Sequence, residues 1–152
     1  MKNLSVRLAT NSDSNKIFEW RNDEYSRQMS HTTELIEWQH HINWFSKSLI
    51  SEDRIILISE KSPNKTISVV SFDIQKSEAI VSINLNPIWR GKGLAKLCLL
   101  KSIEYFSKNY LNTKKLVAEI KKENILSKKI FLSVGFEKNK EENGIEFYKK
   151  TL

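Results

Sequence analysis

The stretch "NPIWRGKGLAKL", residues 86–97, sets an arginine, two glycines and a lysine between a proline-ended apolar segment and a run with helical period. Glycines without side chains let backbone NH groups approach an anion, and a helix that starts there adds partial positive charge. Phosphate is the natural occupant, and a helix start with glycines for tight packing is the plain alternative. Spacing argues against two familiar phosphate loops. The nucleotide-triphosphate loop needs four residues between its glycines and then Gly-Lys-Ser/Thr. The dinucleotide fingerprint needs a glycine where Lys96 stands, on a strand that opens a parallel βαβ unit.

Working outward, the segments on either side read as alternating strands and helices. "LSVRLAT" (4–10) reads as a strand, and "NSDSNKIFEWRND" (11–23) as a short helix capped by Ser12 or Asp13. A loop, "EYSRQMSH" (24–31), leads to a helix in "TTELIEWQHHINWFSKSL" (32–49). There Leu35, Trp38, Ile42, Phe45 and Leu49 line one apolar face, and His41 and Trp44 fall off it. "RIILISE" (54–60) and "ISVVSFDIQ" (67–75) flank the turn "KSPNKT" and predict an antiparallel pair, with "AIVSINLNP" (79–87) as a third member. Residues 93–109 take helical period, with Ala95, Cys98, Leu99, Ser102, Tyr105 and Phe106 on one face. "KLVAEI" reads as a strand, "NILSKKIFLSV" as a short helix, and "GFEKNK" and "IEFYKK" as a hairpin around "EENG". The order β α α β β β α β α β β predicts an α/β (α+β) fold: a mixed, mostly antiparallel sheet of about seven strands flanked by four helices.

The 152 residues, 39% apolar, are enough for one domain over 1–152 and too few for two. Twenty-five Lys and Arg against 18 Asp and Glu give a formal charge of +7 and favour an anionic partner: a phosphorylated cofactor, nucleic acid or an acidic surface. A lone cysteine, Cys98, excludes an internal disulfide and a thiol-rich zinc site, and its place on an apolar helical face reads as packing. No leader-like apolar region and no run near the roughly 18 residues of a membrane span are present, so a cytoplasmic protein without membrane association is expected.

Arg90-Gly91-Lys92-Gly93-Leu94-Ala95 resembles the R/Q-x-x-G-x-G/A pyrophosphate loop of the GNAT superfamily of acyl-CoA dependent N-acetyltransferases. "INLNP" before it looks like that family's fourth strand, which splays from its neighbour. "VAEIKKENILSKKIFLSVGFE" looks like its second motif, with Asn124 and Gly135-Phe136 in the family's places. The resemblance implies acetyl transfer from acetyl-CoA to a primary amine by direct attack, with no metal. It places Ile83 and Leu85 along the pantetheine, the loop residues 90–95 on the pyrophosphate, and Asn124, Lys129 and Phe131 on the cofactor side. It also puts a backbone NH near Leu85 toward the developing oxyanion. The family usually carries a tyrosine as acid where Phe131 stands, and phenylalanine has no proton to donate. Glu119, mid-strand in "LVAEI", is the candidate for a water-mediated base, with a solvent-facing carboxylate as the alternative.

On the acceptor side, "EWRND" (19–23) and "HINWF" (41–45) look like the R-N and H-x-x-W/F patterns of relatives that acetylate UDP-linked amino sugars in pseudaminic acid synthesis. Ribosomal-protein N-terminal acetyltransferases carry related patterns. Arg21 and His41 would then bind an acceptor diphosphate, and Trp44 stack a ring, with Asp73 and Asn84 added to the acceptor set. The alternatives are a surface salt bridge for Arg21, a solvated helix face for His41 and packing under the loop for Trp44. His31 and His40 read as surface groups, and Lys121, Lys122, Lys128 and Lys129 as a basic cluster that meets phosphate or water. The expected partner is a small amine, with the chain a monomer or homodimer. A nucleic-acid binder is the contrasting class, disfavoured because no recognition helix or aromatic-studded RNA-binding strand appears.

Overall fold

The computed structural model describes residues 3–62 and 64–152. Pro63 of the predicted turn at 61–66 lies outside them, while its flanks close through Lys61 NH on the Lys65 carbonyl. The seven strands are β1 (Ser5–Leu8), β2 (Arg54–Glu60), β3 (Thr66–Gln75), β4 (Glu78–Leu85), β5 (Lys115–Lys121), β6 (Glu137–Glu142) and β7 (Ile145–Thr151). They form one sheet in the order β1-β2-β3-β4-β5-β7-β6. Every pairing is antiparallel except β4 with β5, where α4 (Ala95–Asn109) carries the chain back to the starting edge.

That parallel pairing is short. Glu78, Ala79 and Ile80 pair with Lys115, Leu116 and Val117, and no further. Beyond Ile80, β4 continues to Leu85 on β3 alone, and beyond Val117, β5 continues to Lys121 on β7 alone. The strands thus part into a wedge whose β4 wall leads into the glycine loop, as "INLNP" was expected to do.

Strand alternation gives the sheet two faces. One packs Leu57, Val70, Phe72, Val81, Leu116 and Ala118 against α4 and α5 (Ile125–Ser133), with Phe72 and Phe106 stacked at 4.1 Å. The other packs Ile56 and Ile58 under Ile17 of α1 (Ser14–Asn22) and Phe45 of α3 (Trp38–Ile50). Covered on both sides, β2 reads as a nearly continuous apolar run. Cys98 is fully buried with Leu4, Ile67 and Leu94, and burial raises its thiol, which agrees with a packing role.

Three expectations change. The loop at 24–31 is mostly helical: α2 (Glu24–Met29) buries no residue, and the Asp23 carboxylate caps it by accepting from Ser26 NH. An element without an apolar face leaves no periodic signal, so the described residues form five α-helices. The third helix begins at Trp38, not near Thr32, because the Asn22 side chain holds both backbone groups of Ile36 outside it. Its buried line is His41, Phe45 and Ser48, whereas Leu35 and Trp38 are exposed at 69% and 42%. Asp13 does not cap α1 with its side chain; its carboxylate turns back to Thr10 NH and the Arg7 guanidinium. No helix among the described residues is long and apolar enough to cross a membrane.

Candidate active site

The residues of the opening stretch stand at the mouth of the wedge. Asn86 caps a short 3-10 turn through Ile88 NH, and the chain then passes through Gly91 and Gly93 at φ +73° and +71° into α4. Both angles lie where a side chain is strained, and a Cβ built on either would point into open space. No side chain caps the first turn of α4. Free NH groups, open backbone and the helix dipole therefore face the same opening, which fits a pyrophosphate, and Lys92 stands exposed beside it.

Arg90 points elsewhere. Its guanidinium sits 2.7 Å from Asp23 and 2.8 Å from Ser26 Oγ, over the ring of Tyr25. Ser26 Oγ donates to Asn84 Oδ1 at 2.9 Å, and Asn84 Nδ2 donates to the Trp20 carbonyl at 3.1 Å. Burial works against the Asp23 charge, yet Arg90 and Ser26 hold its carboxyl below the ordinary range. Arg90 and Asn84, expected at cofactor and acceptor, are thus brought together as the bolt that fastens α2 to β4 and the loop. Asp23, Tyr25 and Ser26 were missed as site residues; the Asp23-x-x-Ser26 capping pattern was their one sequence signal.

The acceptor candidates gather on the opposite sheet face. His41 is fully buried, which overturns its reading as an off-stripe residue on a solvated helix face. Its ring is stacked on Phe45 and Trp38, and its polar atoms are met by Ser14 and Arg21. Desolvation chiefly, with the Arg21 charge against the Ser14 hydrogen bond, lowers its basicity. Arg21 lies 4.1 Å over the Trp44 ring, and Arg54 lies 5.5 Å over the same ring. Asp73 pairs with Arg54 at 2.8 Å. Among the described residues no carboxylate comes within 4.0 Å of Arg21 in an ion pair, so it is not in a surface salt bridge. Burial and the Arg54 charge depress its ionisation.

Glu119 lies on β5 just past the parting from β4, on this same face, with its side chain 25% exposed and 3.5 Å from the ring of His31. Asn124 caps α5 by accepting from Ser127 NH. Phe131 is packed at 3% exposure, edge-on to Phe136 at 5.0 Å. Lys129 is exposed, while Lys128 of the same basic cluster pairs with the buried Glu146. Ile83 and Leu85 are half-buried on the free length of β4.

A family model described as an acetyltransferase (GNAT) domain matches residues 3–137. The chain belongs to the GNAT acetyltransferase family. This GNAT chain is an acetyl-CoA dependent N-acetyltransferase. Among solved structures it resembles the spermidine N-acetyltransferase of Vibrio cholerae in complex with CoA and spermine, with TM-score 0.86 at 16% identity, over 99% of this chain and 96% of that one. It also resembles a domain from Methanocaldococcus jannaschii, with TM-score 0.82, 21% identity and 98% of each chain. A third likeness is to a protein proposed as a phosphinothricin N-acetyltransferase, with TM-score 0.81 and 24% identity, over 97% of this chain and 98% of that one. At these identities the likeness is one of fold. No curated protein sequence matches the chain significantly.

Proposed function

We propose that the chain acetylates the amino group of a small anionic molecule, most specifically a UDP-linked amino-deoxy sugar. The observation that carries this reading is Arg21: a half-buried guanidinium on the acceptor face, stacked on Trp44, with no carboxylate partner among the described residues. A cation held by an aromatic face and a neutral imidazole keeps its charge unbalanced and is stabilised further by an incoming anion. A polycation such as spermidine would meet Arg21 and Arg54 with like charge, and a peptide N-terminus offers Arg21 no counter-charge.

Acetyl-CoA, when bound, supplies an activated thioester. In this reading the loop NH groups of residues 91–95 and Lys92 hold its pyrophosphate, with Arg90 keeping the loop fastened to α2. The free backbone of Ile83 and Leu85 pairs with the pantetheine arm. The NH near Leu85 receives the charge that develops on the carbonyl oxygen. Trp44 gives an acceptor ring a flat surface, and Glu119 is the carboxylate that serves proton removal from the amine. Phe131 supplies no acid, which a thiolate with an ordinary pKa of about 8.5 tolerates near neutral pH.

A thiol-release assay with acetyl-CoA against UDP-linked amino sugars, spermidine, phosphinothricin and ribosomal N-terminal peptides tests the proposal. Turnover of the sugar, inhibited by UDP competitively with the sugar only, is expected. Turnover of a peptide with no effect of millimolar UDP would reject the sugar.

A further inference from the structure

The acceptor face holds a second constellation that binding of an anion leaves unused. Residues 30–37, between α2 and α3, form a polar strap clamped at several points. Asn22 holds both backbone groups of Ile36 at 2.9 and 2.8 Å, and Arg27 donates to the Thr33 carbonyl at 3.0 Å. Lys121 of β5 reaches across to the Gln28 carbonyl at 2.9 Å, just before the strap. Since α2 buries no residue, these polar clamps rather than a core set the position of the strap. They carry His31 to within 3.5 Å of Glu119, its Nε2 facing Oε1, beside the point where β5 leaves β4.

We propose that His31 is the general base of acetyl transfer and that Glu119 is its orienting carboxylate. The side chain of His31 is 56% exposed and open to an acceptor, whereas that of Glu119 is 25% exposed. An accessible base backed by a more sheltered orienting group is the arrangement that fixes one tautomer. With the Nε2 proton directed at Glu119, Nδ1 carries the free lone pair. The cations at the strap are engaged, Lys121 on the Gln28 carbonyl and Arg27 on the Asn22 and Thr33 carbonyls, while the strap's own Glu34 and Glu37 are exposed. Phe147 stands opposite Glu119 in the sheet register and brings no charge. The 3.5 Å approach is longer than a formed N–H···O bond, and catalytic pairs of this kind tighten when substrate fills the site.

The amine nitrogen forms its bond to the acetyl carbon as the carbon–sulfur bond breaks, and the sulfur leaves with the bonding pair. The N–H proton passes to Nδ1 of His31, and the imidazolium returns it to water or to the thiolate. The proposal rests on the acetyl-transfer reading and is independent of which amine is the acceptor.

The test uses bromoacetyl-CoA, which needs no acceptor: a carbon–nitrogen bond forms at the base as bromide leaves. Mass mapping of the full chain is expected to find the adduct on His31. Labelling should disappear in His31→Gln and slow at least about fivefold in Glu119→Gln, with CoA affinity unchanged by calorimetry. His31→Ala should lose about a hundredfold in thiol release, within the range of general-base effects, and added imidazole should restore at least about tenfold. Spermidine and a UDP-linked amino sugar serve as acceptors. No adduct on His31, a labelling rate indifferent to Glu119→Gln, or activity that imidazole does not rescue would overturn the proposal. Labelled His31 with no turnover of the sugar supports the base and rejects the sugar.

Discussion

Arg21 and His41 meet at 3.0 Å, and the contact fixes the state of the histidine. Arginine only donates, so Nδ1 must accept, and the ring proton lies on Nε2, which donates to the Ser14 carbonyl at 2.9 Å. The imidazole is neutral, and it orients a guanidinium that has no carboxylate partner among the described residues.

That neutrality has a pH signature. The folded His41 is less basic than the ordinary 6.5 of an unfolded chain. Its contribution to stability is therefore present above about pH 6.5 and is lost as pH falls below it toward the lower folded value. Melting curves from pH 7.5 to 5 should show Tm falling on the acid side. His41→Gln, which can accept from Arg21 and donate to Ser14, should keep the fold and flatten that fall. His41→Phe should cost about 1–3 kcal/mol, since it strands a buried carbonyl and a guanidinium. An equal acid slope in wild type and His41→Gln would assign the slope to another group.

Arg21→Ala should raise the KM of a nucleotide-sugar acceptor by the equivalent of about 1.5–3 kcal/mol, the scale of a charge-assisted hydrogen bond, and leave that of acetyl-CoA nearly unmoved. Arg21→Lys retains the charge but not the fork or the flat stack on Trp44, so an intermediate loss is expected. Initial-rate kinetics decide it; equal losses for both substrates would mean that Arg21 only supports the fold.

Gly93→Asp should weaken acetyl-CoA at least tenfold, about 1.4 kcal/mol. The residue sits at φ +71° with open space before its Cβ, so the substitution meets no neighbour and puts a negative charge into the opening. Gly93→Ala carries the backbone strain without the charge and separates the two effects. Calorimetry with acetyl-CoA on both variants checks it, and unchanged affinity in a folded Gly93→Asp would remove this loop from the cofactor site.

Phe131→Tyr should change turnover by less than about tenfold, because the ring is packed edge-on to Phe136 and a site built without a hydroxyl there must release the thiolate another way. At 3% exposure the added oxygen should lower stability by about 1–3 kcal/mol. Thermal melting and steady-state rates measure both, and a hundredfold gain in turnover would identify this position as a missing acid.

The sequence by itself determined the strands, the glycine loop and the crossover, because these depend on local chemistry: short apolar runs bounded by turn residues in β2 to β5, and glycines where φ must be positive. The strand, loop and helix order at 79–109 was legible for that reason, and with it the GNAT resemblance. Only the tertiary structure decided what the polar residues do. α2 left no periodic trace because Asp23, Ser26 and Arg90 hold it rather than a core. His41 looked like a surface group because nothing within α3 shows that Ser14 and Arg21 would satisfy its ring. Nor does any local pattern join His31 to Glu119, since clamps from α1, α2 and β5 set that approach. Apolar periodicity is written within one element, whereas a hydrogen bond between distant elements exists only once both have docked.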